Sequence, residues 1–122
     1  MKFLTVLITV LVAALAATRS APAEIPLSLQ ITPQQGFEPL FLRATVHVQR
    51  NYLNTQMCLA WDSEEGEAGL NCRPLEGQYA VQTFTIEIPT LSAGEYEFQA
   101  RVAQGPTILR TPRIRVNVLS KG

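Results

Sequence analysis

The chain has 122 residues, with ten Lys plus Arg balanced by ten Asp plus Glu. Near-neutral charge without a basic cluster excludes a nucleic-acid footprint. Two cysteines and one histidine leave little material for metal or nucleophile chemistry.

The first segment reads as a leader. Met1-Lys2 gives a short cationic start, and Phe3 to Ala17 is almost uninterrupted apolar sequence. That pattern predicts a secretory signal peptide. The run falls short of the roughly 20 apolar residues of a spanning helix, and Arg19 closes it. Small-x-small sites follow at Ala14-Leu15-Ala16 and at Ala21-Pro22-Ala23. The second predicts a signal peptide over 1–23 and one domain over 24–122. Loss of Lys2 and Arg19 makes the mature protein slightly acidic. Export to the periplasm or outside permits a disulfide. No membrane span is expected after signal removal.

Beyond the leader, alternation with a period of two recurs, as in half-buried strands. Ile25, Leu27, Leu29 and Ile31 form the first apolar phase, ended by Pro33-Gln34-Gln35-Gly36. Leu40, Leu42, Ala44, Val46 and Val48 form the second, with Phe41 and His47 out of phase. Gln56 to Trp61 and Leu70 to Arg73 bracket the polar turn Asp62–Gly69. Phe84, Ile86 and Ile88 precede Pro89. Tyr96, Phe98, Ala100 and Val102 form a late strand, Gly105-Pro106 begins a connection, and Ile114, Val116 and Val118 close the pattern. About seven strands separated by Pro and Gly turns predict an all-β, antiparallel two-sheet sandwich. Tyr96, Phe98, Val116 and Trp61 are expected in its core.

Certain residues carry a family resemblance: Pro39-Leu40 entering a long strand, Trp61-Asp62 ending a central one, and Leu91-Ser92-Ala93-Gly94-Glu95-Tyr96 leading into a late one. These resemble bacterial extracellular immunoglobulin-like domains of the fibronectin type III and polycystic-kidney-disease types, over most of residues 25–119. The Asp-Phe-Gly-Asp-Gly usual after the tryptophan in the latter type is replaced by Asp62-Ser63-Glu64-Glu65-Gly66. The resemblance implies an immunoglobulin-like sandwich.

Cys58 and Cys72 flank the acidic turn symmetrically about Glu65. A hairpin centred there sets them opposite each other, within reach of a disulfide. No Cys-x-x-Cys spacing suggests redox or metal work. Asp62, Glu64, Glu65 and Glu67 form the densest charge cluster but lack the spacing of a calcium loop. Arg113 and Arg115, with Arg101 and Arg110, give the last strands a basic outward face, with Glu95 and Glu97 beside them for cross-strand ion pairs. The acidic tip (Asp62, Glu64, Glu65, Glu67) and Arg113 with Arg115 are the expected partner contacts.

No nucleophile elbow, phosphate loop or paired-carboxylate motif occurs. The expectation is an exported, non-catalytic binding module, not an enzyme, with no catalytic residue, metal or cofactor. Its partner would be a protein of the cell envelope or extracellular space. The alternative is a small periplasmic copper-type metal-binding sandwich, with His47 and Met57 as possible ligands.

Overall fold

A computed structural model describes residues 25–121. The expected leader, 1–23, lies outside the described residues. Nine strands follow in order: β1 (Leu27–Thr32), β2 (Gln35–Phe37), β3 (Leu40–Val48), β4 (Asn54–Ser63), β5 (Ala68–Pro74), β6 (Thr83–Leu91), β7 (Gly94–Gln104), β8 (Thr107–Arg110) and β9 (Ile114–Leu119). A 3-10 turn, Gly77–Tyr79, lies between β5 and β6. No helix among the described residues is long and apolar enough to cross a membrane.

The strands form two sheets. One has the order β1-β3-β6; the other runs β2-β9-β7-β4-β5, with β8 also on β7. The period-two phases face each other between them. Leu42, Ala44 and Val46 of β3 meet Met57 and Leu59 of β4 and Phe98, Ala100 and Val102 of β7, all fully buried. Exclusion of these apolar faces from water drives the two sheets together. Opposite phases stay wet: Phe41, Arg43 and His47 are exposed along β3. Trp61 departs from expectation in degree. It is half-buried at the margin of the core, stacked on Phe98 at 5.7 Å between ring centroids. Its indole lies across Gly69, where any side chain would collide with it.

Two strands were not legible in the pattern. β2 occupies the stretch read as a turn. It pairs parallel to β9, Gln35 opposite Asn117 and Phe37 opposite Leu119, which corrects the wholly antiparallel expectation. Three residues are too few to show alternation. β8 folds back on β7 through the two-residue loop Gly105-Pro106, with Gln104 opposite Thr107. Gly105 takes φ 57°, as the first position of such a loop requires. Between β8 and β9 the buried Thr111 completes the ladder: its N–H donates to the Ala100 carbonyl and its Oγ1 accepts from the Ala100 N–H, both at 3.0 Å.

Candidate functional site

The β4–β5 hairpin is built as its sequence symmetry implies. Cys58 lies opposite Cys72 and the two are joined in a disulfide, Cα–Cα 4.0 Å. The turn closes with Ser63 N–H donating to the Glu67 carbonyl at 2.7 Å, and Gly66 supplies φ 91°. With this backbone fixed, the tip carboxylates separate into different roles.

Glu67 is exposed at the hairpin tip, and its carboxylate already has partners within the chain. Its Oε2 lies 2.7 Å from the Tyr96 hydroxyl, and its Oε1 accepts from Ser92 Oγ at 2.8 Å. The Tyr96 hydroxyl also lies 2.9 Å from the Ser92 carbonyl. Two hydroxyl donors favour the ionised acid, so the Tyr96 bond first and the Ser92 bond second hold the Glu67 carboxyl below its ordinary 4.5. Burial pushes the Tyr96 phenol up.

Glu38 grips the same corner from the other side. It accepts from the Ala93 N–H at 3.0 Å and the Lys121 N–H at 3.3 Å, and these bonds lower its pKa too. Glu65 also lies against this corner: a Cβ on Gly94 would come within 2.9 Å of its Oε2. The β6–β7 turn is therefore clamped by carboxylates distant in sequence, a relation without a local signal.

Two consequences follow for stability. Tyr96→Phe removes one hydroxyl donor from this corner and leaves Ser92 Oγ as the donor to Glu67; the expected cost in urea unfolding is about 0.5–1.5 kcal/mol. Glu38 and Glu67 have depressed folded-state pKa values, so their contribution is complete above the ordinary 4.5 and is lost as pH falls through the lowered values. The melting temperature should drop below pH 4.5, and should drop less steeply in a Glu38→Gln/Glu67→Gln variant. Parallel curves for the two proteins would contradict the clamp.

The remaining expected residues do come together. On the outer face of the larger sheet, Asp62 and Glu64 from the hairpin meet Glu95 and Glu97 of β7 and Arg115 of β9 around a groove of about 240 Å³. A second hollow of about 150 Å³ continues it, sharing Asp62 and Glu97 and adding Gln99, Arg101 and Arg113. Glu97 is the hub: Arg113 Nη1 lies 3.2 Å from its Oε2 and Arg115 Nη2 3.9 Å from its Oε1. Arg113 also reaches Asp62 at 4.0 Å. The arginine face is thus largely answered by Glu97 and Asp62. Glu64 and Glu95 stay exposed at the acidic end.

The possible copper ligands are not brought together. His47 is exposed on the outer face of β3, its Nδ1 3.2 Å from Thr83 Oγ1, whereas Met57 is fully buried between the sheets. Among the described residues no group of three or more His, Cys, Asp or Glu is placed to hold a metal ion.

No protein-family model matches the chain, and no curated protein matches it. The structure is similar to that of a superoxide reductase (neelaredoxin) from Ignicoccus hospitalis, with a TM-score of 0.60 and 12% sequence identity over 78% of this chain and 81% of that one. The likeness is one of fold. It corrects the expectation that the chain is not an enzyme: this two-sheet architecture is shared with a protein named for a reaction, and the want of a familiar motif is no argument against catalysis.

Proposed function

We propose that the chain is an exported immunoglobulin-like module that recognises a basic protein surface of the cell envelope or extracellular space. The observation that carries this reading is the groove. It joins the hairpin carboxylates Asp62 and Glu64 to Glu95 and Glu97 on β7, with fewer cations than anions at that end. The immunoglobulin-like assignment is supported by the facing β1-β3-β6 and β2-β9-β7-β4-β5 sheets and by Tyr96 bonding back to the Ser92 carbonyl at the start of β7. Export is supported by the leader sequence and the disulfide. A site on rigid strands beside a stapled hairpin loses little entropy on docking.

The test is a Glu64→Gln/Glu95→Gln variant, which spares Glu67 and so leaves the corner intact. Capture of the native envelope partner should weaken roughly three- to tenfold at low salt, and the difference should shrink as the Debye length falls to about 8 Å at 0.15 M. Unchanged capture at every salt concentration would refute the groove.

A second reading, a small periplasmic metal-binding sandwich, is supported by the fold likeness to the superoxide reductase, which speaks for it more than for the first. The groove of carboxylates on the sheet face speaks for the first. Metal analysis of the purified protein discriminates: a stoichiometric bound metal ion would favour the second.

A further inference from the structure

Strand β5 ends the larger sheet, and its backbone polarity can be assigned. Ser63 N–H donates to the Glu67 carbonyl and Leu75 N–H to the Thr55 carbonyl. The pairs between them alternate, so Gly69, Asn71 and Arg73 turn their amides and carbonyls toward β4. Ala68, Leu70 and Cys72 turn theirs away. The 4.0 Å Cα separation of Cys58 and Cys72 is that of a pair not bonded to each other, in agreement. The outward N–H and C=O groups of Ala68, Leu70 and Cys72 have no hydrogen bond among the described residues.

Free edges invite pairing and are usually blunted by proline, charge or shortness. The other edges show such devices. β6 carries Glu87 and Pro89, β2 is three residues long, β8 is four residues long and ends on Arg110, and β1 lies between Pro26 and Pro33. Ala68-Gly69-Leu70-Asn71-Cys72 has neither charge nor proline, and Leu70 is 65% exposed.

We propose that β5 is a self-association edge, pairing antiparallel with β5 of a second copy of this chain about a two-fold axis at Leu70. Self-pairing is favoured over another strand partner because the segment is complementary to itself. With the axis at Leu70, each outward-turned residue meets an outward-turned residue: Leu70 its own copy, Ala68 the second copy's Cys72. The two exposed Leu70 side chains come side by side on the outer face. The acidic end of one hairpin, at Glu67, lies beside Arg73 of the other, and like charges are kept apart. Pro74, with no N–H to give, falls just outside the ladder. A symmetric interface of this kind is isologous and closes at two copies. This inference does not rest on the groove, which lies on the sheet face and not on its edge.

Edge pairing alone buries little area, so dissociation constants of about 0.01–1 mM are expected. Sedimentation velocity on the purified protein across that range should show a reversible monomer–dimer equilibrium. Leu70→Pro removes only an outward N–H and is tolerated at an edge; it should keep the native circular dichroism and melting transition and abolish the dimer. Amide exchange gives a second readout: Leu70 and Cys72 should become protected as concentration rises, while Asn71, bonded to β4, stays protected throughout. A protein monomeric to about 1 mM, or a dimer that persists in a folded Leu70→Pro variant, would overturn the proposal. So would an edge that takes up a different protein's strand while the chain itself stays monomeric.

Discussion

Phe98→Ala is expected to lower the unfolding free energy by about 3–5 kcal/mol in urea titration. Phe98 is fully buried and lies between Trp61, at 5.7 Å, and Tyr96, at 6.5 Å. It sits on β7, which is paired to β4 on one side and to β9 on the other, so the walls of the resulting cavity cannot easily collapse. The adjacent Glu97 points to the outer face with its side chain 41% exposed. Glu97→Ala removes surface ion pairs worth less than about 1 kcal/mol. A comparable loss from both variants would mean that the inward and outward phases of β7 are wrongly assigned.

Replacing both cysteines, Cys58→Ser/Cys72→Ser, is expected to cost about 3 kcal/mol. The loop they close spans a sequence separation of 14. In the chain-entropy model the stabilisation comes from restricting the unfolded ensemble, so the folded hairpin should keep its shape. The Glu67 bonds to Tyr96 and Ser92 hold its tip independently of the sulfurs. The folded variant should therefore retain partner binding while unfolding at lower urea. Loss of binding with an intact fold would show that the staple, not the clamp, positions the groove.

Much of the architecture was legible because alternation reports one face of a sheet directly. β3 and β7 are long and keep strict phase, and both lie as their sequence implies. The disulfide was legible from symmetry about Glu65. β2 escaped because it is short and gets its identity from β9, far along the chain. Glu38 and Glu67 escaped for a related reason: their partners at Ala93, Ser92 and Tyr96 are brought near only by tertiary folding. The acidic tip read as one uniform patch, yet its members diverge. Glu67 became a strut while Asp62 and Glu64 joined a groove with β7 and β9. A charge run shows where carboxylates are, but not which of them already have partners.

The groove is the centre of the functional account, and site-specific photo-crosslinking tests it most directly. A photoreactive side chain would replace Glu64, at the acidic end of the groove, or Gln30, exposed on β1 of the opposite sheet. Irradiation in the native envelope should join the Glu64 variant to one partner through a segment rich in Lys or Arg, with little product from the Gln30 variant. Equal crosslinking from both positions, or crosslinks at Glu64 to segments without basic residues, would contradict the account.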